Sequence, residues 1–284
     1  MGKRVFTLAL LICFLLALAS PLSAGAAVTG GTSASGTLSK ITSLLDESAT
    51  IRDALNALAD WQLDDSDDDT QEFEDSMREI NEKRGEVNGY ISTLDGLVSE
   101  ANTMTLSGTE GEKKTAAAAA EYLGRIKRAA EDILDVFDYY IALVDALEPF
   151  INFAPPESTS GYYDYSLFAG QLSQVVSQCQ RGLGAMKVPA YLASPQGDMI
   201  KRYDEYQSFC QDFSIAIQFD DPLRIYSCIN RMSRLDLQVG KALDNIQQDV
   251  DLQFTHMRDR LSGDTEKIRT EIETNIALLS QRGS

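Results

Sequence analysis

The sequence predicts an all-α fold: an elongated antiparallel bundle of about six helices with coiled-coil-like packing and a very long C-terminal helix. Three observations carry this. From Leu223 to Leu279, apolar residues recur at Ile229, Met232, Val239, Leu243, Ile246, Val250, Phe254, Met257, Leu261, Ile268, Ile272 and Leu279, mostly at steps of three and four, with charged or amide residues between them. About 57 residues of unbroken helix would reach roughly 85 Å, longer than any other periodic stretch allows. A second stretch, Phe73, Met77, Ile80, Arg84, Val87, Ile91, Leu94, Val98 and Ala101, alternates steps of four and three as a coiled-coil seam does. No segment sustains the two-residue alternation of a half-buried strand.

At the start of the chain, Lys3 and Arg4 precede an apolar run from Val5 to Ala19, followed by Pro21 and the small residues Ala24-Gly25-Ala26. This is the pattern of a secretory signal, with cleavage expected after Ala26. Residues 27–36 read as a flexible leader with no apolar payload. Helix one is expected to bury Ile41, Leu44, Leu45, Ser48, Ile51, Leu55 and Leu58 and to end near Trp61.

Asp64-Asp65-Ser66-Asp67-Asp68-Asp69 raises the question of calcium, because alternate carboxylates open an EF-hand loop. Counted from Asp65, the sixth position is Thr70 rather than Gly and the twelfth is Ser76 rather than Glu. The run is better read as a solvated turn whose last carboxylates favour the next helix N-terminus; Asp65, Asp67 and Asp69 remain only a weak divalent-cation candidate.

Helix two is the heptad stretch, breached by Arg84 and weakened by Gly85, Gly89 and Gly96, which would suit the close approach of a neighbour. After a turn at 106–112, helix three starts on the alanine run 116–120. It continues through Leu123, Ile126, Ala130, Ile133, Phe137, Ile141, Val144 and Leu147 to a stop at Pro149.

Pro155-Pro156 and a polar run mark the boundary between an N-terminal three-helix bundle, 37–154, and a C-terminal helical hairpin plus long helix, 165–284, unless the halves form one bundle. Within or beside the linker 155–164, Tyr162 and Tyr163, with Tyr165 and the more distant Tyr203, form the aromatic candidate for an interaction or ligand surface; the alternative is that these rings close one end of the bundle. Helix four carries Phe168, Leu172, Val175, Cys179, Leu183 and Met186. Helix five carries Met199, Tyr203, Tyr206, Phe209, Cys210, Phe213 and Ile217, and Asp220-Asp221-Pro222 turns the chain into the long helix.

That last helix has a stutter at Ile246, Val250 and Phe254, and at Ser262-Gly263-Asp264 a break or kink is as well supported as continuity, with Asp264 or Thr265 able to cap a restart. Its end is expected to overhang the shorter helices and offer itself to a partner.

The chain carries a net charge of −18, which becomes −20 once the signal and its two cations are removed. Such a field repels phosphate backbones, so nucleic-acid binding is excluded as the function class, and with the signal removed no stable membrane span is expected. Of the four cysteines, Cys13 leaves with the signal. Cys210 and Cys228 flank the Asp220–Pro222 turn and are the favoured disulfide, Cys179 with Cys210 the second choice, and three buried inert thiols the third.

His256 is the sole histidine, which removes multi-histidine metal sites and histidine-dependent triads. Gly182-x-Gly184 lacks the context of a phosphate loop, and the cysteine spacings fit no zinc motif. No catalytic residue, cofactor or dedicated metal site is expected. The expectation is a secreted or envelope-associated, non-enzymatic helical protein acting through a protein partner or by self-association. An extracytoplasmic ligand-binding or sensing bundle and a membrane-active helical protein are the alternatives.

Overall fold

The computed structural model describes residues 36–59, 71–154 and 162–282, with no side-chain description for 71–76, 162–164 and 282. Among the described residues every regular element is helical: α1 (Gly36–Ala59), α2 (Gln71–Met104), α3 (Glu110–Ile151), α4 (Tyr162–Ala185), a 3₁₀ turn (Ala190–Leu192), α5 (Ala193–Gln218), α6 (Pro222–Asp259), a π turn (Arg260–Asp264) and α7 (Thr265–Arg282). The all-α helical architecture and the very long C-terminal helical run are as the periodicity predicts. The signal, the leader and the acidic run with Asp65, Asp67 and Asp69 lie outside the described residues.

The described residues form two compact units that do not follow the division of the chain at the Pro155-Pro156 linker: one holds 36–59, 78–135 and 252–282, the other 71–77 and 136–251. Both boundaries of the second block, at Val136 and Asp251, fall inside helices, so α3 and α6 each contribute to both units.

In the first unit, α1 buries Leu38, Ile41, Leu44, Leu45, Ser48, Ile51, Leu55 and Leu58, the face its spacing dictates with Leu38 added. On α2, Ile80, Val87, Leu94 and Ala101 are buried seven residues apart, joined by Leu97 and Met104, while Arg84 is half-buried at the breach. Gly85, Gly89 and Gly96 do not admit a close neighbour: a methyl group at any of them meets nothing within 4 Å.

Helix α3 begins earlier than the alanine run because Thr109 and Glu112 form a capping box. The Glu112 backbone N–H donates to Thr109 Oγ1 (3.3 Å), and the Thr109 N–H donates to Glu112 Oε2 (2.7 Å). Gly108, at φ 96°, supplies the left-handed residue before it. The helix packs tightly where side chains are small, as at Gly111, against which Leu279 of α7 is seated; a methyl group there would lie 2.6 Å from Leu279 Cδ2. Leu279 is therefore engaged at the start of α3, and the expected overhang of the C-terminal helix is not present at that point.

The π turn resolves the question at Gly263. The backbone is right-handed helical at Asp259 and Thr265, so the chain neither breaks nor recaps. Thr265 is buried and its hydroxyl donates back to the Leu261 carbonyl. Met257, Leu261, Thr265 and Ile272 are the buried positions, and Ile268 is only half-buried. Two successive steps of four over-rotate an α-helical face by about 80°, and the wider π turn absorbs the additional residue.

The second unit is built on aromatic packing. Helix α3 runs two residues past Pro149, and Phe150 meets Tyr203 and Tyr206 edge-on at centroid distances of 6.0 and 5.7 Å. Phe209 stacks on Phe213 at 5.6 Å, and Phe153 lies against Phe168. Gly182 of α4 crosses Ala146 of α3 so closely that a methyl group at Gly182 would stand 2.9 Å from the Ala146 Cα.

Candidate interaction surface

Helices α5 and α6 are joined by two aspartates that satisfy both helix ends. The Asp221 N–H donates to the Ala216 carbonyl and the Asp220 N–H to the Ile217 carbonyl, both at 3.1 Å, which is the Schellman closure of α5. Asp220 occupies the left-handed position at φ 50°, usually taken by glycine. Asp221 then accepts the Arg224 N–H at 3.0 Å and caps α6.

Two side-chain pairs set the register of this hairpin: the Tyr206 hydroxyl donates to Asp236, and the Arg231 guanidinium to Asp212 at 2.6 Å. Both pairs are centred at Asp221–Pro222, so Cys210 is level with about Met232. Cys228 sits one helical turn, roughly 6 Å, closer to the hairpin end. That offset is why the predicted Cys210–Cys228 bridge is absent: Cys179, Cys210 and Cys228 are all buried free thiols. Cys179 with Cys210 fares no better, because Ser177 pairs with Gln207 and Gln180 with Asp204, setting Cys179 level with about Glu205, more than one helical turn from Cys210. Burial pushes the Cys179 thiol up to about 11 and the Cys210 thiol up to about 12, which keeps both protonated and unreactive.

The aromatic candidate divides. Tyr203 is 1% exposed and Tyr165 is half-buried against Phe213 at 6.2 Å, so both belong to the packed interior of this unit. Tyr162 and Tyr163 lie in the first turn of α4, with side chains outside the described residues.

Buried tyrosines that periodicity does not single out carry the polar interior. Tyr139 Oη donates to Gln196 Oε1 (2.8 Å), and Gln196 Nε2 donates to the Leu183 carbonyl (3.0 Å). Tyr140 Oη donates to Gln247 Oε1 (2.9 Å), and Gln247 Nε2 to Asp251 Oδ1 (2.7 Å). Burial raises the Asp251 carboxyl, opposed by the Gln247 hydrogen bond. In the first unit, Tyr122 is fully buried with its hydroxyl unpartnered; burial raises it, while Arg52 and Ser48 nearby oppose the shift. Arg52 is held by Asp53 and by Glu266 of α7 at 2.5 Å. Glu266 thus pairs across helices instead of with Arg269, whose partner is Glu273.

None of these arrangements places a nucleophile beside a base at an open site. His256 is exposed on α6, and among the described residues no group of three or more His, Cys, Asp and Glu side chains is placed to hold a metal ion. An open cleft of about 540 Å³ is lined by Gly36, Thr37, Lys40, Glu100, Thr103, Met104 and Ser107, and none of the predicted tyrosines contributes to it. Among the described residues no helix is long and apolar enough to cross a membrane.

What the hairpin does present is apolar surface. Phe219 is 74% exposed at the end of α5, and Leu223 (82%), Tyr226 (67%) and Leu237 (69%) are exposed along α6; Ile229, predicted to lie in the seam, faces out as well. Cys228 and Leu235 are buried in its place. The missed signal was visible: Leu223, Tyr226, Asn230, Ser233 and Leu237 keep the four-three spacing of a second seam on the opposite side of the helix. No family model matches the chain, and neither a curated protein nor a solved structure does.

Proposed function

We propose that this protein is a non-enzymatic, secreted or envelope-associated helical-bundle protein that works by contact with another protein. One observation carries the reading: a row of large apolar side chains, Phe219, Leu223, Tyr226 and Leu237, stands in solvent on the α5–α6 hairpin. Phe219, Leu223 and Tyr226 cluster at the hairpin end, with Leu237 about three turns along the same face beyond Asn230 and Ser233, and an exposed cluster of large apolar side chains on a charged protein marks a contact site. Tyr and Phe suit the task because they offer large area at little entropic cost. Export is supported by the Lys3-Arg4 cluster, the apolar run after it and Ala24-Gly25-Ala26.

The test is capture of surface proteins from the native cell by the mature chain and by a Leu223→Lys/Tyr226→Lys variant. Both substituted side chains are exposed, so the fold is expected to survive, as circular dichroism can verify. The wild-type chain is expected to retain partners that the variant loses. A variant that retains everything the wild-type chain retains overturns the reading. N-terminal sequencing of the exported protein is expected to begin at Ala27.

A further inference from the structure

We infer that the exposed row of α6 is an antiparallel seam for a second copy of this chain. The inference rests on reading that row as a contact surface and adds the occupant.

In an antiparallel helix pair, the first apolar position of each heptad packs against the fourth position of the partner. On α6 the first positions are Leu223, Asn230 and Leu237, and the fourth positions are Tyr226, Ser233 and Gly240. One register places every one of them in a complementary layer. Leu237 of each copy meets Tyr226 of the other; Asn230 meets Ser233, giving two adjacent hydrogen-bonding layers at the centre. At each end Leu223 lies over Gly240, where the absence of a side chain leaves room for it. The apolar layers bury surface that is otherwise in water. The central Asn and Ser layers fix the register at some expense of stability, as a buried polar layer does in coiled coils.

Charge complementarity for a second copy is found at the two ends of the seam, where Lys241 stands at one end and Asp220 and Asp221 at the other. In the same register Lys241 of one copy is level with Pro222 of the other, beside Asp220 and Asp221. Asp220 is exposed, so two Lys–Asp pairs close the ends of the seam. The seam spans about 17 residues, roughly 26 Å, which suits a reversible, concentration-dependent dimer rather than an obligate one.

The experiment uses the purified mature chain alone. Sedimentation equilibrium is expected to show a reversible dimer, weakened about tenfold or more by Leu237→Lys with the melting temperature of the monomer unchanged. Lys241→Asp is expected to weaken the dimer, and Lys241→Asp combined with Asp220→Lys to restore part of it. Mixed under mild oxidation, Asn230→Cys and Ser233→Cys chains should form a covalent heterodimer faster than either forms a homodimer, and Gln238→Cys should form none with either. A monomer at every concentration, or a dimer indifferent to Leu237→Lys, overturns the inference. So does row-dependent binding to phosphatidylglycerol vesicles without a dimer. Row-dependent capture of a different protein by a chain that is monomeric alone overturns this inference and leaves the broader reading standing.

Discussion

Gly182 of α4 lies so close to Ala146 of α3 that the first carbon of any side chain at Gly182 would stand 2.9 Å from both the Ala146 Cα and Cβ. Neither of those atoms belongs to a flexible side-chain end, so the helices themselves must move to admit it. Gly182→Ala is expected to destabilise the protein by about 1–3 kcal/mol, the usual cost of overpacking. Gly89→Ala on α2, where a methyl meets nothing within 4 Å, is expected to stabilise by about 0.5–1 kcal/mol through helix propensity alone. Urea denaturation of the two variants reads the opposite signs directly.

Two of the buried tyrosines, Tyr122 and Tyr140, should respond to the same substitution in different ways. Tyr122→Phe removes a buried hydroxyl without a partner and is expected to be neutral or stabilising by up to about 1 kcal/mol. Tyr140→Phe strips Gln247 Oε1 of its buried donor and is expected to cost about 1–3 kcal/mol. Equal losses in thermal or chemical unfolding would contradict the hydrogen-bond assignment.

The α5–α6 turn makes a third contrast. Asp220 holds a left-handed backbone conformation that glycine adopts without strain, so Asp220→Gly is expected to stabilise by up to about 1 kcal/mol. Asp221→Ala removes the side-chain acceptor for the Arg224 N–H and is expected to cost about 1 kcal/mol.

The free thiols give a redox and a pH prediction. Reductant should leave the melting temperature unchanged, and Cys179 and Cys210 should resist alkylation at neutral pH until the chain is unfolded. Both thiols are raised above the ordinary value of 9, to about 11 and about 12, by burial of the group. An unfolded chain releases these protons near pH 9 while the folded chain retains them. The stabilisation is therefore complete below about pH 9 and is lost as pH rises through 11 and 12. Urea midpoints measured from neutral pH upward should fall over that window, and by less in a Cys179→Ala/Cys210→Ala variant relative to its own neutral-pH midpoint.

Much of the fold was legible because burial follows period. The α1 face, the seven-residue row of α2 and all of the inward positions predicted on α5 can be read from spacing alone. The start of α3 is also written in the sequence, as Thr109 and Glu112 three residues apart, a capping box that lies ahead of the alanine run where helix propensity is strongest. Cysteine pairing is not legible in the spacing, because counting residues from a turn gives register only to within a helical turn, and that uncertainty is as large as the reach of a disulfide. Ile229 lies about 100° round α6 from its buried neighbour Cys228, at the margin of the buried face, where spacing alone does not say which side meets the core. The polar interior around Tyr139, Tyr140 and Gln247 was illegible: the hydrogen-bond partners lie 57 and 107 residues apart in the chain.

The π turn at Arg260–Asp264 means that this helix carries one residue more than its buried face requires. Shortening the chain by Gly263 would turn the wide loop into an ordinary α turn and bring Met257, Leu261, Thr265 and Ile272 into an unbroken seven-residue rhythm. Removing a residue almost anywhere else in a long helix rotates everything beyond it by about 100° and turns its buried face outward. The protein is thus tolerant of a length change at one place, and there a deletion is expected to act as a repair.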